Sequence, residues 1–484
     1  MMQYRSIIRI LGMLIAIFSI TMVPPAMVAF WYKDGAGLPF ILSFLMCVAI
    51  GFITWYPNRK YRRELKVRDG FLIVVLFWIV LGAVGGIPLV LAEYPNLNLA
   101  SAMFEAFSGL TTTGATVLTG IELLPKAILY YRQQLQWLGG MGIIVLAVAI
   151  LPLLGVGGMQ LFRAETPGPV KDNKMTPRIA DTAKHLWYIY LALTITCALA
   201  FYLAGMSAFD AICHAFSTVA IGGFSTYDAS IGHFNSPLIN LICVFFLFIS
   251  AVNFTLHFAV VRGKNLKTYF GDPEFNTFFG IQVALIVICF LVLLHTSVYP
   301  DKLTALNHAV FQAVSISTTA GFATDGFSTW PLFLPILLIF SSFIGGCAGS
   351  TGGGMKVVRV LLLFKQGARE LNRLVHPRAV YAIKLGRRAV EDRIVQAVWG
   401  FFAAYALVFV VIMLALIFTG LDNITAFSAT AACLNNLGPG LGEVAAHFGN
   451  IPDASKWILI VAMVFGRLEI FTLLVLFTPA FWKD

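Results

Sequence analysis

Phe104-Glu-Ala-Phe-Ser-Gly-Leu-Thr-Thr-Thr-Gly114 decides the fold, because similar stretches follow it three more times along the chain. Two copies match it in length, and a looser fourth copy has one extra residue before its glycine. They are Cys213-His-Ala-Phe-Ser-Thr-Val-Ala-Ile-Gly-Gly223, Phe311-Gln-Ala-Val-Ser-Ile-Ser-Thr-Thr-Ala-Gly321 and Phe427-Ser-Ala-Thr-Ala-Ala-Cys-Leu-Asn-Asn-Leu-Gly438. Successive final glycines are 109, 98 and 117 residues apart, which indicates an internal repeat.

The composition of the 484-residue chain places it in a lipid bilayer. Hydrophobic residues make up 59% of the chain and charged residues only 12%, and the mean hydropathy is +0.85, which is too apolar for an ordinary soluble domain. A helix needs about 20 apolar residues to cross a bilayer, and ten stretches meet that need. They lie at 7–30, 38–56, 70–92, 134–157, 185–206, 235–261, 275–296, 332–364, 394–420 and 455–480. We therefore predict an all-α membrane protein with ten transmembrane helices.

The basic residues indicate how these helices are oriented. Of the 33 Lys and Arg residues, 24 lie in the four loops 57–69, 158–185, 262–274 and 356–393. Because loops rich in Lys and Arg stay on the cytoplasmic side, these loops and both termini are predicted to be cytoplasmic. The net charge of +10 then reflects membrane topology, and nucleic-acid binding is not predicted.

Each repeated stretch lies between two predicted spans and is too short to be a span itself. Each offers about 10–12 residues of helix-compatible sequence, roughly 15–18 Å at helical rise. The charge pattern places both ends of each stretch on the outer side, so we expect four re-entrant pore loops. Non-helical backbone at membrane depth is tolerated where it is buried in protein or lines a water-filled pathway. Four such loops in one chain can converge in a pseudo-fourfold arrangement.

Backbone carbonyls become available where each short helix ends, and they can replace the hydration shell of a monovalent cation. Glycines supply the backbone freedom that an extended segment needs there, and they are Gly114, Gly223, Gly321 and Gly438. The predicted carbonyl ligands belong to the uncharged pairs before them, Thr111-Thr112, Ala220-Ile221, Thr318-Thr319 and Asn435-Asn436. Thr and Gly also serve close helix packing, but four copies in equivalent positions favour an ion pathway.

A second glycine-rich run interrupts the eighth predicted span, with a density of glycine that disfavours a straight helix. Its glycines are Gly345, Gly346, Gly349, Gly352, Gly353 and Gly354. A phosphate-binding loop is not predicted, because the run lacks a Gly-Lys-Ser/Thr ending and follows a membrane span. Two interpretations remain: a close helix contact through small residues, or an unwound segment that obstructs the pathway until it moves.

Arg467 lies near the centre of the last predicted span, where a charge is costly and usually faces a cavity or a partner. Glu469 is two residues further on and points to another face of a helix, so a simple pair between them is not expected. The alternatives for Arg467 are a structural contact between helices and a place in the pathway below the four loops.

The sequence resembles the TrkH-type members of the Trk/Ktr/HKT superfamily of potassium transport proteins over essentially the whole chain. The resemblance is carried by the runs Thr111–Thr116, Ser217–Ser225, Ser317–Phe322, Asn435–Gly440 and Gly345–Gly354. It implies uptake of potassium across the bacterial inner membrane, without a cofactor and without enzymatic activity. It also implies a homodimer with one pore per protomer, and a cytoplasmic regulatory subunit of the TrkA type that binds nucleotides. In this family the glycine-rich run is an intramembrane gate, and an arginine at the position of Arg467 restrains ions or holds that gate.

The predicted units of the chain follow from the repeats and this resemblance. A two-helix unit at 1–69 precedes four pore repeats at 70–160, 161–268, 269–375 and 376–484, and the third repeat contains the gate. The sequence leaves open whether transport is passive or coupled to protons or sodium.

Several polar residues have simpler interpretations. His214 and His257 are predicted to be hydrogen-bonded residues of the helix packing instead of proton relays. Asp210 and Asp422 precede short helices and are predicted to cap them. Glu105 either attracts cations or bonds within the packing of its helix.

Other classes of protein fit the sequence less well. The seven cysteines fall within or against hydrophobic segments without a CxxC pair, which favours packing over metal binding or disulfides. A secondary transporter for a small solute would predict inverted repeats, whereas these repeats are parallel. An intramembrane enzyme would need a convergent catalytic set, which the spans do not offer.

Overall fold

The computed structural model describes residues 3–61, 65–140, 142, 179–386 and 388–483, and most of them are helical. The α-helices are Tyr4–Ser19, Val23–Tyr32, Gly37–Trp55, Val67–Leu91, Leu99–Leu110, Lys126–Gly140, Ile179–Leu203, Ala208–Ala220, Pro237–Ser250, Phe254–Gly263, Lys267–Phe270, Pro273–His295, Lys302–Ser317, Leu334–Ile344, Val357–Val375, Asp392–Phe418, Asn423–Leu434, Asp453–Arg467, Phe471–Leu474 and Pro479–Trp482. The two-residue strands Lys384–Leu385 and Arg388–Ala389 pair antiparallel, a small departure from the predicted all-α fold.

Six of the described helical segments are long and apolar enough to cross a membrane, and two bent helix pairs raise that number to at most eight. In the first pair, Pro237–Ser250 and Phe254–Gly263 meet at 94°. In the second, Asp453–Arg467 and Phe471–Phe477 meet at 107°. The predicted span at 134–157 and the loop at 158–185 lie largely outside the described residues.

The eighth predicted span, at 332–364, is not one continuous helix. Leu334–Ile344 ends at Gly345, and a new helix begins only at Val357. The residues between them, 345–356, are non-helical, and we call them the glycine-rich loop. The helix Val357–Val375 continues beyond the predicted end of the span at 364 and into the predicted basic loop.

Four short helices lie between the long ones. Short helices 1 to 4 are Leu99–Leu110, Ala208–Ala220, Lys302–Ser317 and Asn423–Leu434, with 12, 13, 16 and 12 residues. The second and third are therefore longer than the predicted 10–12 residues. Each begins at a side chain that accepts a hydrogen bond from a backbone N–H of the first turn, which satisfies one of the otherwise unpaired donors there.

The capping residues of the short helices differ in part from the prediction. Asp422 caps short helix 4 by accepting from the N–H groups of Ile424 and Thr425, as predicted. Asp210 is not the cap of short helix 2, because the side chain of Ser207 accepts from the Asp210 N–H at 3.1 Å. Asp210 lies inside the first turn, where its carboxylate accepts from the Ser207 hydroxyl.

All seven cysteines are buried and unpaired. They lie in the helix packing, among apolar neighbours such as those of Cys47 and Cys433 in the largest hydrophobic cluster. The prediction that they are small packing residues is confirmed.

Candidate ion pathway

The four short helices end in the same backbone motif. Just past each helix, one residue adopts the left-handed conformation, and these residues are Thr112, Ile221, Thr319 and Asn436, with φ of 56°, 55°, 72° and 54°. The following residue donates its N–H to the carbonyl five residues back, at 2.7–2.8 Å. This is the Schellman arrangement, which satisfies carbonyls at a helix end. The four copies can therefore be aligned by structure on their left-handed residues, and we call this alignment the structural register.

In this register the fourth copy has no extra residue. Gly438 follows the left-handed Asn436 by two positions, just as Gly114 follows Thr112. Ser428, and not Phe427, is then the equivalent of Phe104. The sequence comparison inferred an insertion because it aligned the two phenylalanines.

The four glycines form a closed ring of contacts. We call the residues that lead to them ring segments 1 to 4, which are 112–114, 221–223, 319–321 and 436–438. Each glycine has a φ between 78° and 99° and lies against the carbonyl of the middle residue of another segment. A Cβ at Gly114, Gly223, Gly321 and Gly438 would collide with the carbonyls of Gly222, Ala320, Leu437 and Thr113, in that order. Segment 1 thus contacts segment 2, 2 contacts 3, 3 contacts 4, and 4 contacts 1.

This ring decides which carbonyl oxygens are available to a cation. The oxygens of the middle residues lie against the next glycine. Among contacts between described residues, the oxygens of Thr112, Ile221, Thr319 and Asn436 accept no hydrogen bond. All eight residues of the predicted ligand pairs are buried around this ring. Their uncharged backbone oxygens suit a monovalent cation, and within the described part of the chain no cluster of His, Cys, Asp and Glu could hold a metal ion.

Polar side chains at equivalent positions of three short helices form hydrogen bonds with residues that follow the ring segment of the same repeat. Glu105 accepts from the Val117 N–H at 3.0 Å. His214 contacts the Ser225 hydroxyl at 3.0 Å through Nε2. The Gln312 amide donates to the Asp325 carbonyl at 2.6 Å. His214 is also bonded through Nδ1 to the Asp210 carbonyl, which agrees with its predicted role in packing.

His257 is bonded in the same manner. Its Nδ1 contacts the Tyr269 hydroxyl at 2.7 Å and its Nε2 contacts the Ile249 carbonyl at 2.9 Å. Both ring nitrogens are therefore occupied, as expected for a residue of the helix packing.

Two polar residues of Lys126–Gly140 contact the ring region, and the sequence analysis gave them no role. Arg132 forms a buried ion pair with Glu105 at 2.7 Å, which decides between the two interpretations of Glu105 in favour of packing. Gln136 donates to the Gly222 carbonyl at 2.5 Å and accepts from the Phe224 N–H at 3.1 Å. A signal was present for Gln136, because it lies in the predicted span at 134–157 and polar groups in a membrane are costly, whereas Arg132 lies just before that span.

The glycine-rich loop folds directly against three of the four repeats. The Gly354 N–H donates to the Asn435 carbonyl at 3.0 Å, and the Gly353 N–H donates to the Thr319 hydroxyl at 2.7 Å. The Thr351 hydroxyl donates to the Val219 carbonyl at 3.0 Å. One of the predicted carbonyl ligands, that of Asn435, is therefore bonded to the loop.

Arg467 lies between ring segment 1 and the glycine-rich loop. Its guanidinium donates to the Thr112 hydroxyl at 3.1 Å and to the Thr351 carbonyl at 3.5 Å. It also donates to the carbonyls of Gly139 and Gly140. The structure thus brings Arg467 and the loop together beside the ring, as the sequence analysis expected for one of its two alternatives.

Other charged residues hold the loop from its far side. Glu469 pairs with Arg359. The buried Lys356 donates to the Gly352 carbonyl. The Glu274 carboxylate accepts from the Ala348 N–H at 2.7 Å and the Val358 N–H at 3.1 Å. Glu274 therefore holds both the first part of the loop and the first turn of the helix that follows it.

The chain is similar to known proteins in both sequence and structure. Residues 37–484 match the TrkH family, which is described as "Cation transport protein". The Trk system potassium uptake protein TrkH of Vibrio parahaemolyticus is 67% identical over 485 residues, and that of Escherichia coli K12 is 63% identical over 483, with all of each chain covered. The crystal structure of the potassium transporter TrkH from Vibrio parahaemolyticus superimposes with a TM-score of 0.91 at 64% identity and full coverage of both chains.

Proposed function

Because the chain belongs to the TrkH family of cation transport proteins, we propose that it takes up potassium across the bacterial inner membrane through the ring of its four glycines. The relatives are named as potassium uptake proteins, and this supports potassium as the ion. Since the family consists of transport proteins, the predictions of a membrane transport protein and of a chain that is not an enzyme are confirmed.

The closed ring of ring segments 1 to 4 carries this proposal. A cation that replaces its water shell needs several uncharged oxygens at similar distances from one axis. Four segments in one register, each against the next, supply such oxygens from Thr112, Ile221, Thr319 and Asn436. The carbonyls of Thr111, Ala220 and Thr318 form a second layer toward the short helices, whose C-terminal ends favour a cation.

The proposed architecture consists of ten transmembrane helices and four re-entrant pore loops. A two-helix unit at 1–69 precedes pore repeats at 70–160, 161–268, 269–375 and 376–484. Both termini lie in the cytoplasm together with the four basic loops, in accord with the positive-inside rule. The common end motif of the four short helices supports the fourfold relation of the repeats.

The glycine-rich loop and Arg467 form the proposed gate. Hydrogen bonds from Gly353 and Gly354 to Thr319 and Asn435 place the loop against the ring, where it obstructs ions. The Arg467 guanidinium adds a positive charge beside the same ring segments, and it repels a permeating cation. Opening requires that the loop leave the carbonyl of Asn435.

The gate is proposed to respond to a cytoplasmic partner. The relatives are named as proteins of a Trk system, which supports a transporter with further components. We propose that two copies of this chain form a homodimer with one pore per protomer. We also propose that a nucleotide-binding regulatory subunit of the TrkA type binds to this dimer. The basic loops at 158–185 and 356–393 are the proposed docking sites for that subunit.

Uptake by cells tests the proposed function directly. The full chain is expressed in a bacterial strain that lacks its own potassium uptake systems, and rubidium entry is measured with potassium or sodium as competitor. We expect restored growth at low potassium and rubidium entry that potassium suppresses far more strongly than sodium. Failure to restore growth, with the chain present in the membrane, would contradict the proposal.

A further inference from the structure

We propose that Arg132 is a positioning residue that fixes the junction between repeats 1 and 2 and thereby sets the preference of the pathway for potassium over sodium. This inference rests on the proposed function. It concerns a side chain that contacts no ion itself and that acts through the chain segments just beyond the ring.

The guanidinium of Arg132 joins residues of two repeats. Its Nε donates to Glu105 Oε1 at 2.7 Å, and its Nη2 donates to the Thr116 hydroxyl at 3.1 Å. Its Nη1 donates to the Ser225 carbonyl at 3.1 Å. Thr116 and Ser225 occupy equivalent positions, two residues after Gly114 and Gly223. The planar fork of arginine can make these bonds together, which the single ammonium of lysine cannot do.

The contacts of Arg132 are buried, and an aromatic ring of repeat 2 adds to them. The side chains of Arg132 and Glu105 are 1% and 0% exposed. The guanidinium carbon lies 4.2 Å from the ring centre of Phe224, the residue that follows Gly223. A cation over an aromatic face is attracted by the ring, more strongly so when water is excluded. Arg132 therefore contacts repeat 2 through both a backbone oxygen and an aromatic ring.

Two of the other junctions show which bond Arg132 replaces, whereas at the junction of repeats 3 and 4 the equivalent carbonyl, that of Gly440, accepts no hydrogen bond from the described residues. At the junction of repeats 4 and 1, the Phe448 N–H donates to the Thr116 carbonyl at 2.7 Å. At the junction of repeats 2 and 3, the Gly232 N–H donates to the Ala323 carbonyl at 3.0 Å. Ala323 is the equivalent of Thr116 and Ser225. The same carbonyl thus accepts a backbone N–H at two junctions, whereas at the junction of repeats 1 and 2 it accepts from the Arg132 side chain.

Gln136 holds Gly222 and Phe224 at this junction, but the Ser225 carbonyl is held by the Arg132 side chain. The Ser225 carbonyl is two residues from Gly223, whose φ of 80° and contact with the Ala320 carbonyl hold it in the ring. Without the bond from Arg132, ring segment 2 keeps its bonds to Gln136 but loses its attachment at Ser225, so its position relative to segment 1 is less firmly fixed. In a looser ring an ion keeps part of its water shell, which removes the advantage of potassium, so selectivity falls before conduction is lost.

Selectivity in proteoliposomes tests the inference. The purified full chain, Arg132→Lys and Glu105→Gln are compared by the ratio of rubidium to sodium influx, and their folding is checked by gel filtration and thermal melting. Arg132→Lys keeps the buried positive charge but removes the planar guanidinium. Glu105→Gln keeps the size and shape of the side chain but removes its negative charge. We expect a fall of about tenfold in the ratio, equivalent to about 1.4 kcal/mol, with rubidium influx largely retained.

Asp228→Ala is the matched control. Asp228 also links repeats 1 and 2, because its carboxylate accepts from the Gly120 N–H at 2.7 Å, but it contacts no ring segment. We expect its influx ratio to equal that of the unmodified chain. If folded Arg132→Lys and Glu105→Gln keep the unmodified ratio, or if Asp228→Ala lowers it equally, the inference is overturned. An unmodified chain without preference for rubidium would instead overturn the proposed function.

Discussion

The guanidinium of Arg467 donates a hydrogen bond to the hydroxyl of Thr112 at 3.1 Å, although 355 residues separate them along the chain. The same guanidinium reaches the carbonyl of Thr351 in the glycine-rich loop. One side chain therefore contacts both ring segment 1 and the proposed gate. Arg467 is the last residue of the helix Asp453–Arg467, where the last predicted span bends, and a charge in an apolar segment must find such polar partners.

Replacing Arg467 by alanine is expected to raise rubidium influx in the absence of any regulatory subunit. The substitution removes a positive charge from beside the ring and the bond to the Thr351 carbonyl, so the closed loop is held less firmly. A loss of about 1.4 kcal/mol would raise the open population about tenfold. Influx into proteoliposomes measures the effect, with Arg467→Lys as the variant that keeps the charge. Unchanged or reduced influx in well-folded Arg467→Ala would count against the gate.

Deletion of the segment Gly346–Gly353 is expected to give influx that no longer responds to a regulator. The deletion removes the donor that bonds Thr319 and most of the obstruction. The chain can close over the gap, because a Cβ at Gly345 would lie 3.0 Å from the Gly354 Cα. Influx with and without added cytoplasmic extract from a strain that contains the regulator is the measurement. A folded deletion variant that remains closed would contradict the role of the loop.

Substitution of Gly223 by alanine is expected to abolish rubidium influx or to relax its selectivity. The φ of 80° strains any residue with a side chain, and the new Cβ would collide with the Ala320 carbonyl. Gly280→Ala is the matched control, since a Cβ there has no neighbour within 4 Å among the described atoms. Normal selective influx through Gly223→Ala would mean that the ring is not the ion pathway.

Replacement of Asp422 by alanine is expected to lower stability by about 1 kcal/mol, the usual value of a helix cap. Asp422→Asn retains the cap and should melt near the unmodified chain in detergent. Hydrogen bonds from Thr425 hold the pKa of Asp422 below its usual value. The advantage of Asp over Asn is therefore present above the unfolded pKa of about 3.9 and declines as the pH falls below it. Equal melting of the Ala and Asn variants at neutral pH would show that this cap contributes nothing.

The repeats and their short helices could be predicted because local chemistry determines them. A capping side chain, about a dozen apolar residues and a glycine two positions after a left-handed residue recur in each copy. The register of the fourth copy could not be predicted, because it depends on the backbone motif that ends the helix, and the chance alignment of Phe427 with Phe104 obscured it.

The side-chain contacts that hold the ring segments could not be predicted from local sequence. Gln136 was visible as a polar residue in the predicted span at 134–157, but its partners, and the Ser225 partner of Arg132, lie in repeat 2, up to 93 residues away. The attachment of the glycine-rich loop to Glu274 likewise joins residues 74 and 84 positions apart. Such contacts follow from the packing of repeats against one another, which no local pattern of one sequence specifies.

The most direct test of the central claim is the influx of rubidium and sodium into proteoliposomes that contain the purified chain alone, without a proton or sodium gradient. A selective pathway formed by this chain predicts passive rubidium entry that potassium suppresses, that Arg467→Ala increases, and that is lost or no longer selective in Gly223→Ala. Entry of neither ion under any condition, including in the Arg467→Ala and loop-deletion variants, would contradict a potassium pathway through the glycine ring.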